Sequence, residues 1–194
     1  MKNLTSIYSE NYAISLLIRH SDRYRHSDMQ NPRLTEQGIS NAIELGRKLS
    51  NYQINKIITT DVDRCIQTAE NIIKGYDRLI ETEISKYFGR LHYADRNIGK
   101  EFLRKHGYDE FYKNIISGID TPGIHNTDRY NKLMTDFIID KTIDHGITIF
   151  ISHDINIAYY HFSIDRTIYE KYTDVKYLCG IILCNGEHAS DFQN

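Results

Sequence analysis

The sequence predicts an α/β fold, a three-layer sandwich with a mostly parallel central sheet flanked by helices. Three observations carry that expectation. Short apolar runs rich in isoleucine, at Tyr12 to Ile18, Ile54 to Thr60 and Ile147 to Ile151, have strand length. They alternate with longer segments whose apolar residues recur at helical spacing. Each run ends in a polar cluster, and in open parallel sheets ligands sit at the carboxyl ends of the strands.

The elements follow in order. Tyr12 to Ile18 reads as a buried strand ending in charge. In Leu34-Thr35-Glu36-Gln37-Gly38, Thr35 suits an N-cap, and a helix runs from Glu36 to about Ser50. Its apolar face comprises Ile39, Ala42, Ile43, Leu45, Gly46 and Leu49. After the second strand, Asp61 or Asp63 caps a helix carrying Cys65, Ile66, Ala69, Ile72 and Ile73 and stopping at Gly75. Leu79 to Ile84 suits a short strand and Phe102 to Ile116 a helix, followed by the turn signal Thr121-Pro122-Gly123. A helix from about Thr127 to Asp144 ends at Gly146, and Asp154 to Phe162 forms another. Val175 to Cys184 suits a final strand broken at Gly180.

The 194 residues suit a single domain, 1–194, with an insertion at about 85–125. Two prolines and no Ser/Gly-rich linker agree with that. A net charge of −2 gives no basic field for nucleic acid or an anionic membrane. No apolar stretch reaches membrane-spanning length, and the N-terminus lacks a signal-peptide core. The three cysteines, Cys65, Cys179 and Cys184, form no paired spacing, which points to a reducing, cytoplasmic compartment. Nine histidines include no His-x-x-x-His with an acidic partner, and no Cys/His group has zinc spacing, so no metal is expected. Neither a glycine-rich fingerprint nor a P-loop appears, so no nucleotide cofactor is expected either.

The polar clusters at the strand ends carry the chemistry. Arg19-His20 follows the first strand, Asp61 to Arg64 the second, and His153-Asp154 the late one. A lone histidine after a strand is more often structural. Two histidines and several arginines brought to one sheet edge suit a phosphate ester, because guanidinium presents a planar fork matched to phosphoryl oxygens. A neutral imidazole can attack phosphorus when its other nitrogen is held by a hydrogen bond.

Arg19-His20-Ser21 resembles the Arg-His-Gly signature of the histidine phosphatase, or phosphoglycerate mutase-like, superfamily. Leu34 to Gly38 is similar to its Leu-Thr-x-x-Gly element, Asp61 to Glu70 to its second arginine motif, and Ile151-Ser152-His153-Asp154 to its second histidine motif. The matches keep the family's order from residue 14 to residue 158. The resemblance implies that His20 accepts the phosphoryl group, that Arg19 and Arg64 hold its oxygens, and that His153 hydrogen-bonds to it. Arg23 and the His153-Asp154-Ile155-Asn156 segment resemble the acid-phosphatase branch, where the Asp protonates the leaving group. That makes Asp154 the expected donor, with Glu83 as the alternative acid, and Arg23, Ser21 and Asn156 substrate-binding residues.

Two positions depart from the pattern. Ser21 stands where the family has Gly, and Asp61 where it often has Ser; a helix cap is the favoured reading of Asp61. Arg25 and His26 suit a solvated loop. In the family an insertion covers the site and sets specificity. Here residues 85–125 hold Tyr87, Arg90, His92, Tyr93, Arg96, Arg104, Lys105, His106, Tyr108 and Tyr112.

The resemblance thus implies a metal-independent phosphatase acting through a phosphohistidine on a phosphorylated small molecule, with a phosphoprotein as a further substrate class. A mutase-like phosphotransferase and an inactive phosphate- or protein-binding module are the alternatives. Natural substrate and oligomeric state are not legible.

Overall fold

The computed structural model describes residues 2–8, 12–24 and 32–194. In chain order the elements are α1 (Lys2–Ile7), β1 (Ala13–Arg19), α2 (Glu36–Lys48), β2 (Ile54–Thr60), α3 (Asp63–Tyr76), β3 (Glu81–Ser85) and α4 (Arg96–Ile116). Then come α5 (Thr127–Lys141), β4 (Gly146–Ser152), α6 (Asp154–Asp165), β5 (Gly180–Cys184) and β6 (Glu187–Phe192). The six strands form one sheet in the order β3-β2-β4-β1-β5-β6. β3, β2, β4 and β1 are parallel; β5 and β6 are antiparallel additions at one edge.

Side-chain alternation along the strands divides the core into two layers. Ile14, Leu16 and Ile18 of β1 face α2 and α3, packing with Ala42, Leu45, Ala69 and Ile72. Leu17, Ile58 and Phe150 face the other way, towards Tyr130, Met134 and Ile138 of α5 and Ile157 and Tyr159 of α6. Helices therefore cover both faces of a mostly parallel sheet, as the sequence predicts.

Glycine sets the approach of α2 to α3. A Cβ at Gly46 would lie 2.1 Å from the Ile72 carbonyl oxygen, and one at Gly75 would lie 1.9 Å from that of Ile43. Only hydrogen fits at either position. At the start of α2 the Thr35 hydroxyl accepts from the Gly38 amide at 2.9 Å, the expected N-cap.

Several boundaries differ from expectation. Neither Asp61 nor Asp63 caps α3; Val62 stands at its N-cap without a side-chain bond, because the Asp61 carboxylate is taken by Arg90 at 2.5 Å. The α3 helix passes Gly75 and ends at Asp77, which adopts a left-handed conformation (φ 57°). Gly146 opens β4 rather than closing α5, which stops at Lys141. Ile39, assigned to the apolar face of α2, is exposed. The last strand starts only at Gly180, and β6 follows from a polar segment, Glu187 to Phe192, that carries no strand signal. Arg25 and His26 lie outside the described residues.

Candidate active site

Parallel pairing of β1 with β4 places Arg19 opposite Ser152, so the residues that leave the two strands, His20 and His153, emerge side by side. The His20 amide donates to the Ser152 carbonyl at 3.0 Å, and the two imidazole centroids are 5.6 Å apart. The next strand over, β2, ends at Thr60 and delivers Arg64 in the first turn of α3. Residues 133 positions apart in sequence thus share one sheet edge.

The hydrogen bonds fix the tautomer of His20. Its Nδ1 lies 2.7 Å from the Ser21 carbonyl oxygen, which can only accept, so Nδ1 carries the proton. Its Nε2 accepts from the Arg64 Nε–H at 3.0 Å, which requires a lone pair there. Burial, followed by the charges of His153 and Arg64, holds His20 well below the usual imidazole pKa. His20 is therefore a neutral imidazole with its nucleophilic nitrogen under the Arg64 guanidinium.

His153 takes the complementary arrangement. Its Nδ1 faces an Arg64 terminal nitrogen at 3.3 Å and so accepts, leaving Nε2–H to donate to the Thr60 hydroxyl at 3.4 Å. Burial and then Arg64 push its pKa down to about 3. Cys65 lies beneath, its sulfur 3.8 Å from His153 Nδ1; burial raises the thiol to about 12, so it stays protonated and is no rival nucleophile.

Arg19 is buried and held on several sides. One terminal nitrogen meets Asp154 Oδ2 at 2.6 Å; the other donates to the carbonyls of Val175 (2.6 Å) and Thr173 (3.2 Å). Its guanidinium lies over the Tyr177 ring at 4.1 Å. Asp154 also accepts from the Ile155 amide through Oδ1.

These groups border a cleft of about 840 Å³. Its lining includes Arg19, Arg23, Arg64, Arg90, Arg96 and Lys100, with Asp154 as the one carboxylate among the described lining residues. Such a wall attracts anions and focuses their approach. His92, also in the lining, is buried and held down to about 4 by desolvation, although the Asn156 amide favours its charged form. His20 itself does not border the cleft; it lies directly beneath Arg64.

The structure brings Arg19, His20, Arg64, His153, Asp154, Arg23 and Asn156 to this edge; the Asn156 amide donates to the Ser152 hydroxyl at 3.1 Å. Two sequence candidates fall away from it. Glu83 is on β3 and is clasped by Lys56 (2.8 Å) and Lys141 (3.1 Å), whose bonds lower its pKa. It is absent from the cleft lining, which removes it as the donor. Ser21 is fully buried, with its hydroxyl donating to the Gly38 carbonyl at 2.7 Å and its amide to Thr68, so it packs α2 and is not a substrate contact. Of the segment 85–125, Arg90, His92, Tyr93, Arg96 and Tyr108 line the cleft; Tyr87, Arg104, Lys105, His106 and Tyr112 do not.

Sequence reasoning missed Lys100, Tyr172, Thr173 and Tyr177, all in the lining. Lys100 had a signal, standing four residues after Arg96 and so on the same helix face. Tyr177 had none, since residues 175–179 read as strand. Outside the cleft, His161, His188 and Asp191 form a separate group of cation-ligand type among the described residues. No helix among the described residues is long and apolar enough to cross a membrane.

A doubly covered α/β sheet whose carboxyl edge gathers two neutral histidines and a set of arginines defines a phosphoryl-binding protein class. The chain belongs to the histidine phosphatase superfamily: the family model for its branch 1 matches residues 16–118. That match ends before His153-Asp154, so the likeness of this pair to the acid-phosphatase branch is not carried by it. No curated protein sequence matches the chain. Among solved structures, a phosphoglycerate mutase from Bacillus anthracis is similar over 95% of this chain and 93% of its own, with 18% identity and a TM-score of 0.61. YhfR from Bacillus stearothermophilus is 19% identical, covering 90% and 93%, with a TM-score of 0.58. A mycobacterial glucosyl-3-phosphoglycerate phosphatase is 10% identical, covering 91% and 93%, also with a TM-score of 0.58. At these identities the likeness concerns the fold.

Proposed function

We propose that this protein is a metal-independent phosphatase that hydrolyses phosphomonoesters through a phosphohistidine on Nε2 of His20. The observation that carries the reading is the pinned tautomer: Nδ1–H is committed to the Ser21 carbonyl, and the Nε2 lone pair points to Arg64 in the cleft lining.

In the first step Arg64 swings from His20 Nε2 onto a phosphoryl oxygen. The Nε2 lone pair then attacks phosphorus, the bond from phosphorus to the ester oxygen breaks, and that oxygen takes the Asp154 carboxyl proton. Charge on the three equatorial oxygens is met by Arg64, by Arg19 as it leaves Asp154, and by His153. In the second step water attacks the phosphohistidine. Its proton returns to the Asp154 carboxylate, the P–N bond breaks, and inorganic phosphate leaves.

Six cationic side chains against one carboxylate favour a small substrate with an anionic group besides the scissile phosphate. Arg96 and Lys100, on the exposed face of α4, suit that second group, and Tyr93, Tyr108 and Tyr172 suit its organic frame. Residues 85–125 thus act as the substrate-covering segment of a single domain, and the reducing compartment inferred from the cysteines makes the protein cytoplasmic.

The test is rapid-quench intact-mass analysis of wild type and His20→Ala with a generic aryl phosphate, alongside phosphate release with and without chelator. Wild type should show a phosphate adduct and chelator-resistant turnover, both lost in the variant. Turnover without an adduct on His20 overturns the mechanism, and an inert wild type favours a binding module.

A further inference from the structure

A second cluster of reactive groups lies about 10 Å along α6 from Asp154, counted as seven residues at helical rise, and takes no part in the phosphatase reading. His161 projects from α6 and meets His188 and Asp191 of β6; one ligand atom from each lies within 4.8 Å of the others. The two rings stand edge to face with centroids 5.0 Å apart.

The outer nitrogens of both rings are already engaged. His161 Nδ1 is 2.9 Å from the Tyr169 hydroxyl. His188 Nδ1 is 3.1 Å from Asp165 Oδ2, and Asp165 is itself steadied by the Thr167 amide on Oδ1. His161 Nε2 is 3.3 Å from Asp191 Oδ1 and 3.5 Å from Asp165 Oδ2, and His188 Nε2 is 3.8 Å from Asp191 Oδ1. His188 Nε2 is buried and has no hydrogen-bond partner.

This is the pattern of a metal site. Ligating imidazoles characteristically donate their second nitrogen to a carboxylate or oxygen that fixes ring orientation. A tetrahedral ion with bonds near 2.0–2.1 Å has ligand atoms separated by roughly 3.3 Å. The His161–Asp191 pair is already at that separation, and the His188–Asp191 pair, at 3.8 Å, is about 0.5 Å beyond it. Tyr169 and Asp191 also border a hollow of about 190 Å³.

We infer that His161 Nε2, His188 Nε2 and an Asp191 carboxylate oxygen bind a divalent cation of the zinc class, with Asp165 and Tyr169 orienting the two rings. The ion would tie the edge strand β6 to the helix whose other end carries His153 and Asp154. It is a structural clasp, and the phosphatase chemistry does not pass through it.

Zinc alone is the probe. Wild type, His188→Gln, Asp191→Asn and His20→Gln full-length chains are loaded, passed through gel filtration and assayed for bound metal. Wild type should retain one more zinc per chain than His188→Gln or Asp191→Asn. Asp165→Asn should keep the stoichiometry with affinity weakened about 10- to 100-fold. His20→Gln must keep this extra equivalent, which separates the clasp from zinc trapped by the catalytic histidines. Equal zinc content in wild type and His188→Gln overturns the inference. Should both β6 variants fail to fold, cobalt decides: a His20→Gln chain must give tetrahedral absorption that zinc abolishes, and silence there overturns it too.

Discussion

Asp154→Asn separates two roles on one carboxylate, the proposed proton donor and the observed anchor of Arg19. In the free protein Asp154 Oδ2 meets Arg19 at 2.6 Å, with 18% of the Asp154 side chain and 6% of the Arg19 side chain exposed. Removing one partner of a fully buried pair costs about 3–5 kcal/mol. Asparagine keeps the volume and a carbonyl oxygen for Arg19, and water reaches the acid, so a loss of roughly 2 kcal/mol is expected from urea unfolding. The catalytic effect follows different arithmetic. A general acid contributes about 10²- to 10⁴-fold, equivalent to ~2.7–5.4 kcal/mol, but only where the leaving oxygen needs a proton. The assay is kcat on an alkyl phosphate and on a nitrophenyl phosphate, whose phenolate leaves unaided. As donor, Asp154→Asn slows the alkyl ester by at least 100-fold and the nitrophenyl ester by less than tenfold. Equal slowing of both esters would refute the donor role and leave Asp154 as the Arg19 anchor.

Stability should fall in acid before any carboxylate titrates. His92 and His153 are held neutral in the fold at about 4 and about 3, whereas an unfolded imidazole takes its proton near 6.5, so their stabilisation is complete above that value and is lost as pH falls below it. At pH 5 each costs about 2 kcal/mol, and His20 adds in the same direction; equal urea midpoints at pH 8 and pH 5 in phosphate-free buffer would contradict this. Arg96→Ala with Lys100→Ala should raise KM on the order of tenfold or more for an ester with a second anionic group while leaving KM for a simple aryl phosphate within about twofold. A uniform rise for both esters would place these side chains in general steering instead.

How far the sequence reached depended on whether the signal was local. β1, β2 and β4 are apolar runs flanked by polar residues, and their type and near boundaries were legible. Arg19, His20, Arg64, His153 and Asp154 were legible as candidates because each sits at a strand end or in the helix turn that follows one, where fold topology brings them together. β6 was not: Glu187 to Phe192 alternates polar side chains on an exposed edge, and its pairing with β5 supplies what its composition lacks. Asp61 reads as a cap because caps are local, but a guanidinium 29 residues away outcompetes the backbone amides. Glu83 is a related case: no local signal reveals the two lysines, on β2 and α5, that close over it. The His161–His188 pair is invisible to any search for adjacent ligands, since the expectation of no metal rested on spacings of a few residues and these two are 27 apart.

The depressed histidines also bear on how the site runs its chemistry. A carboxylic acid donor must be protonated and an imidazole nucleophile must not be, yet their ordinary pKa values, near 4 and 6.5, are in the wrong order for both to hold at once. Burial of His20 beneath Arg64 and beside His153 removes half of that conflict, since it keeps the proposed nucleophile neutral below the usual imidazole range. On the proposed mechanism, Arg64, which would meet the phosphoryl group, also helps burial and His153 keep His20 neutral. Arg64→Gln should then do more than weaken phosphate binding. With the Arg64 charge at Nε2 gone, His20 regains affinity for a proton, and the acid limb of kcat/KM moves to higher pH. A phosphate-anchoring role alone would lower kcat/KM at every pH and leave the limb where it was, so the position of that limb, and not the depth of the loss, decides whether Arg64 tunes the nucleophile.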